Sequence, residues 1–140
     1  MSGPNSLVYP VMAQVLLTFA MLLWMGRVRV AAIKAGRVHV GEVALGESAW
    51  PDDVRKVANN AHNQFETPIL FYVLCGLAML VGAVGPIMTL LAWGYVATRL
   101  AHTAVHVTSN RLRHRFVAFA AGFGTLVLMW IVIAAQLVAG

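Results

Sequence analysis

Apolar residues fill long uncharged stretches of this chain, and the charged residues are confined to two zones between them. Residues 7–26, 67–98 and 116–140 contain no Asp, Glu, Lys or Arg. A bilayer core about 30 Å thick takes roughly 20 apolar helical residues at about 1.5 Å each. The outer two stretches therefore predict one span apiece, and the middle one predicts two. Gly85-Pro86 divides the middle stretch, since a proline there cannot continue a helix. The first basic residue, Arg27, follows the first apolar run instead of preceding it, so that run reads as a retained helix and not a signal peptide.

The pattern predicts helices over about residues 7–26, 51–84, 87–110 and 114–139, with residues 27–50 as the one substantial loop. Trp50-Pro51-Asp52-Asp53 carries the start signal of the second helix, a proline in the first turn and acids near the positive end of the dipole. Pro68 lies inside that helix and is expected to bend it. The turn at Gly85-Pro86 is short, so the second and third spans are antiparallel neighbours, and the fold class is an all-α integral membrane four-helix bundle. No internal repeat, low-complexity tract or second domain is visible.

Charge gives the orientation. All ten Lys and Arg residues lie in 27–56 or 99–115. Under the positive-inside rule both zones face the cytoplasm, which places both termini on the non-cytoplasmic side. Of 140 residues, 60% are hydrophobic and 11% charged, against about 25% charged in soluble domains. With a formal charge of +5 carried in these two zones, that balance excludes an ordinary cytosolic enzyme, a disordered chain and a nucleic-acid module. The single cysteine, Cys75, sits in an apolar run and reads as packing. Short loops favour a bacterial inner membrane.

Several polar residues fall where a bilayer makes them costly, some 2.5 to 3.5 kcal/mol for an ionisable group that is neither paired nor facing a wet cavity. On the second helix Asn59, His62, Asn63 and Glu66 fall on one stripe; on the third, Arg99, His102 and His106 fall at i, i+3 and i+7. Arg111 and Arg115, spaced i, i+4, can point at one anionic group, and Arg27 arrives at the same level from the first helix. Together they predict an intramembrane cavity open to the cytoplasm, suited to a small zwitterionic or anionic ligand. Arg99 is expected to meet Glu66, and that pair could also serve only to fix helix register. His102 and His106 at i, i+4 could ligate a metal with His62 or Glu66, but Arg99 one turn away opposes a dication, so no metal ligand is assigned. No P-loop, GxGxxG or GxSxG motif is present.

The segments ANNAHNQFETP (residues 58–68), RLAHTAVH (residues 99–106), RLRHR (residues 111–115) and RVRV (residues 27–30) resemble, in this order, motifs of the MAPEG superfamily, the membrane-associated proteins of eicosanoid and glutathione metabolism. The resemblance covers essentially the whole chain. It implies a homotrimer of four-helix subunits with glutathione as cofactor, bound between neighbouring subunits near the cytoplasmic face and used against a hydrophobic small-molecule substrate entering from membrane lipid. By position it implies Arg27, Asn63, Glu66, Arg99, His102 and His106 as glutathione-binding residues, with Arg111 and Arg115 catalytic through stabilisation of the thiolate. The chain differs from the family pattern at His106, where many members carry a tyrosine, at Asn59 and His62, often basic, and at Phe119, which replaces an aromatic hydroxyl. Two other functions stay open: a non-catalytic lipid- or fatty-acid-binding protein, since some family members bind lipids without catalysis, and a His/Glu metal site.

Overall fold

The computed structural model describes residue 3, residues 5–44, residue 46 and residues 48–139. Gly140, the last residue of the fourth apolar run, lies outside the described residues, as do two positions of the predicted loop. Among the described residues the chain is helical and has no strand. The elements are α1 (Val8–Lys34), α2 (Val40–Val43), α3 (Asp52–Asn63), α4 (Thr67–Leu80), α5 (Pro86–Val107) and α6 (Leu112–Ala139). α5 and α6 share the most extensive contact, α1 packs on α3 and α5, and α4 packs on α6. α1 and α6 are each long and apolar enough to cross a membrane, with mean hydropathies of 1.8 and 2.4 over their best windows.

Three boundaries differ from those read in the sequence. α1 does not stop at Gly26 but runs to Lys34, because Arg27 and Arg29 are good helix formers and the Val28–Ile33 stretch keeps an apolar face. That face buries Ala32 against Val38, Trp50 and Val54, and the Arg29 guanidinium lies 5.2 Å from the centre of the Trp50 ring. The helix then closes where Gly36 takes φ +66°. There the Arg37 N–H donates to the Ala32 carbonyl and the Gly36 N–H to that of Ile33, the hydrogen-bond pair of a Schellman end.

The predicted second helix is two helices. α3 ends at Asn63 and α4 begins at Thr67, so the bend expected at Pro68 falls one turn earlier. A continuous helix would press the proline ring on the Gln64 carbonyl and remove that carbonyl's donor. With the break upstream, Pro68 lies in the first turn of α4, where its missing N–H costs nothing. Residues 64–66 close the gap through three i to i−3 hydrogen bonds, from Gln64 to Ala61, Phe65 to His62 and Glu66 to Asn63. α4 ends at Leu80, α5 covers Pro86–Val107, and part of the predicted loop forms the single turn α2.

The largest apolar core joins Phe71, Cys75 and Ala78 of α4 to Met88, Ala92, Tyr95 and Val96 of α5 and Leu126, Met129 and Ile133 of α6. Tyr95 stacks on Phe71 with ring centres 4.6 Å apart and donates a hydrogen bond to Thr67 Oγ1 at 3.0 Å. Many large apolar side chains point outward, Leu16, Phe19, Leu80, Leu90 and Trp130 among them. That is the surface expected of a chain covered by lipid tails or by its own neighbours.

Candidate functional site

Polar side chains of α3 and of the turn that follows it, residues 64–66, divide between two faces. At 100° per residue, Asn59, His62, Asn63 and Glu66 fall within a third of a turn of one another, while Asn60 and Gln64 lie on the adjoining face. Asn59, His62 and Glu66 are exposed and Asn63 is half-buried, whereas Asn60 and Gln64 are buried. Each face meets a different set of partners on α5.

The outward face meets Arg99, which is 2% exposed. Its Nη2 donates to Asn63 Oδ1 at 3.1 Å and to the Asn63 carbonyl at 3.2 Å. Asn63 Nδ2 in turn donates to Glu66 Oε2 at 3.1 Å. The expected Arg99–Glu66 pair is thus relayed through an amide. The reason is the helix break: ending α3 at Asn63 frees its carbonyl from the α-helical ladder, and a guanidinium is a strong donor to such an oxygen.

One turn along α5, His102 is buried, and its Nδ1 lies 3.2 Å from the Arg115 carbonyl oxygen. A carbonyl only accepts, so Nδ1 carries the hydrogen and Nε2 presents a lone pair. Nε2 is buried and has no hydrogen-bond partner among the described residues; the same holds for Nε of Arg99 and of Arg115. The Arg115 guanidinium reaches back to Asn110 Oδ1 at 2.8 Å, held by the left-handed backbone of Asn110, φ +50°. Asn63, His102, Leu112, Arg115, Phe116 and Phe119 line a cavity of about 170 Å³. Phe119 lies 6.4 Å from the His102 ring centre.

His106 stands elsewhere. Its ring meets His102 edge-on, centres 5.5 Å apart, but its Nδ1 accepts from Asn60 Nδ2 at 3.3 Å and it does not line that cavity. Asn60 Oδ1 accepts from Gln64 Nε2 at 3.2 Å, Thr103 Oγ1 lies 3.3 Å from the same nitrogen, and Gln64 Oε1 accepts from Gln14 Nε2 at 3.0 Å. This neutral chain ties α1, α3 and α5 together inside the protein. Sequence reasoning missed Gln14, Asn60, Gln64 and Thr103. The available signals were a glutamine within an uncharged span and the i, i+4 spacing of Asn60 and Gln64.

Arg27 and Arg111 are not brought to the cavity within the chain. Arg27 is exposed on the outer face of α1, beside Leu23, Val30 and Lys34. Arg111 immediately precedes α6 and its carbonyl accepts from the Arg115 N–H at 3.1 Å, but its side chain is exposed and does not line the cavity. Asn59 borders a separate polar hollow with Asp52, Arg55, Lys56 and Asn110. No group of three or more His, Cys, Asp or Glu able to hold a metal occurs among the described residues.

Among the described residues, two helices long and apolar enough to cross a membrane, beside a buried cation, amides and imidazoles, suit a helical membrane protein. The chain belongs to the MAPEG family, whose model matches residues 7–135. That family includes glutathione-dependent transferases and peroxidases alongside other members. No curated protein matches the chain.

Proposed function

We propose that this protein is a membrane-embedded, glutathione-dependent transferase or peroxidase acting on hydrophobic electrophiles. The observation that carries the reading is the cavity lined by Asn63, His102 and Arg115, with Arg99 bonded to Asn63, where Nε2 of His102 and Nε of Arg99 and of Arg115 have no hydrogen-bond partner among the described residues. Buried donors and acceptors without partners are costly, roughly 1–3 kcal/mol each, and a ligand that pairs with them recovers that energy. Glutathione offers complementary groups: two carboxylates for guanidinium N–H donors, an ammonium for Glu66 and a thiol for the remaining acceptor. The residues present fit it.

A cavity of about 170 Å³ is smaller than the roughly 300–1,000 Å³ of ligand sites, so one chain supplies part of the site. The exposed Glu66 and His62 and the outward Arg27 suit a homotrimer in which a neighbour's first helix closes the pocket. In this arrangement four segments, α1, α3 with α4, α5 and α6, span the membrane, both termini lie outside, and the site opens to the cytoplasm where the basic residues gather.

Glutathione supplies the nucleophilic sulfur. Arg99 fixes Asn63, and Asn63 fixes the Glu66 carboxylate that receives the ammonium. Arg115 places positive charge beside the sulfur and favours its anionic form. Arg27 and Arg111, brought in by neighbouring subunits, hold carboxylates, while Phe116 and Phe119 exclude water. His106 acts from behind, by fixing α5 on α3 through Asn60. The test is turnover of a lipophilic aryl halide with glutathione by protein in lipid nanodiscs. Wild type exceeds the protein-free rate, Arg115→Ala loses at least tenfold in kcat/KM, and a wild-type rate equal to the blank removes the reading.

A second reading has its own observation. Leu70, Leu74 and Leu77 of α4 and Phe123, Val127 and Trp130 of α6 line an apolar groove of about 400 Å³, on the α6 face that also carries Phe116 and Phe119. A single-chain carboxylic lipid with its head at Arg115 and its tail in this groove makes the protein a lipid binder without catalysis. Native mass spectrometry separates the two readings: a co-purified lipid that millimolar glutathione fails to displace supports the second.

A further inference from the structure

We propose that His102 Nε2 takes the proton from the ligand thiol, making this histidine a catalytic base of the site. The inference rests on the glutathione reading and deepens it. The Arg115 carbonyl fixes the tautomer: it accepts from Nδ1 at 3.2 Å, which leaves Nε2 as a lone pair. That lone pair is buried and has no partner among the described residues, on a side chain 3% exposed that lines the cavity with Arg115 and Asn63. Among the described residues that line the cavity, the other polar side chains are the Arg115 guanidinium, a donor, and the Asn63 amide, whose oxygen serves Arg99 and whose nitrogen serves Glu66. A ligand hydrogen pointing into this cavity therefore has one acceptor to meet.

In the step His102 performs, the S–H bond breaks with its electron pair left on sulfur, and the proton forms an N–H bond at Nε2. The resulting imidazolium keeps its Nδ1–H on the Arg115 carbonyl, and the thiolate lies between it and the Arg115 guanidinium. No oxidant, reductant or further reactant is needed. The charged and titratable groups facing His102 are Arg99 and His106 on α5, Arg115 on α6 and, through Asn63, Glu66 beyond α3. The arrangement divides thiol activation between a base and a cation, with Phe119 beside the ring offering no hydroxyl.

Two measurements test it. First, nitrogen NMR of the chain labelled at histidine, without ligand, reports the tautomer. A protonated Nδ1 and an unprotonated Nε2 for His102 are expected, and the opposite tautomer overturns the inference whatever the chain binds. Second, the ultraviolet absorbance of bound glutathione thiolate is titrated with pH in wild type, His102→Gln and His102→Phe. Glutamine keeps an acceptor oxygen but is no base, so His102→Gln binds glutathione while its thiol ionises at a pH roughly one unit higher, a tenfold loss of thiolate at neutral pH. Titration of His102→Gln identical to wild type overturns the inference, even if His102→Phe fails to fold. Absence of glutathione binding in folded wild type overturns the function on which it rests.

Discussion

Arg99 Nη2 meets both oxygens of one residue, the side-chain Oδ1 of Asn63 at 3.1 Å and its carbonyl at 3.2 Å, at the point where α3 ends. A buried guanidinium is thus held by two neutral acceptors and reaches the Glu66 carboxylate only through the Asn63 amide. The helix break and the polar cluster are one feature: the break takes the Asn63 carbonyl out of the α-helical ladder, leaving it an i to i−3 bond from the Glu66 N–H, and the cation adds a second donor.

Removing one partner alone should therefore be worse than removing both. Asn63→Leu leaves the buried cation with the residue-63 carbonyl but no side-chain acceptor, cuts its relay to Glu66, and is expected to lower stability by about 1–3 kcal/mol. Arg99→Met takes the charge away with its demand and costs less, and Arg99→Met with Asn63→Leu is milder than Asn63→Leu alone. Thermal unfolding of the four proteins in one detergent checks the order.

The buried amide chain gives a second expectation. Gln14 on α1 donates to Gln64 beyond α3 at 3.0 Å, and Gln64 holds Asn60 and Thr103. Hydrogen bonds between helices in a membrane average about 0.6 kcal/mol and reach about 1.7. A double-mutant cycle on Gln14→Leu and Gln64→Leu should return a coupling in that range, because the two contacts are the same contact. Strictly additive losses would remove the link.

Much of this architecture was legible in the chain and some was not, for identifiable reasons. The apolar runs and the Gly85-Pro86 divide located the long helices, because span length and proline chemistry act locally. The end of α1 was misplaced by eight residues: charges at Arg27 and Arg29 mark where water begins, and a helix does not stop there. The stripe pattern places Asn63 with Glu66 on one predicted helix and Arg99 with His102 and His106 on the next; in the structure Asn63 Nδ2 donates to Glu66 Oε2 and Arg99 Nη2 to Asn63 Oδ1. It puts His106 in the pocket, whereas its partner Asn60 lies one position off the stripe, and it omits Gln14, whose partner is 50 residues away. Arg27 and Arg111 match family motifs, but nothing within one chain brings them to the cavity.

Close packing of α5 on α6 depends on Gly122. A Cβ there would stand 2.7 Å from Thr98 Oγ1 and 3.7 Å from the Tyr95 ring, and Thr98 is fixed by donating to the Tyr95 carbonyl at 2.7 Å. Gly122→Ala should cost about 1–3 kcal/mol through overpacking. Adding Thr98→Ala removes the clashing oxygen and should recover most of the loss, read as the midpoint of thermal unfolding.

Outside the apolar segments, Arg37 clasps Asp53 with two hydrogen bonds, 3.0 and 2.6 Å, tying the end of α1 to the start of α3. The guanidinium holds the Asp53 carboxyl below the ordinary carboxylate value, through the hydrogen bond first and its charge second, and the Arg37 value rises in return. A lowered carboxylate value means the clasp stabilises the folded chain above the ordinary carboxylate range and is lost as pH falls through the lowered one. The raised arginine value matters only in strong alkali. Hydrogen exchange in residues 36–53 should accelerate as pH drops from about 6 to about 3, after correction for intrinsic rates. Arg37→Gln should remove that acid dependence, and high salt should weaken it because both side chains are exposed.

The central claim, that Arg99, Asn63, His102 and Arg115 form a receptor for glutathione, is tested most directly by calorimetric titration of glutathione into the purified protein in lipid nanodiscs, beside Arg115→Ala and Asn63→Ala. Saturable binding by wild type is expected, weakened at least tenfold in each variant, about 1.4 kcal/mol or more per substitution. Binding that is absent from the folded wild type, or equal in all three proteins, would contradict the account.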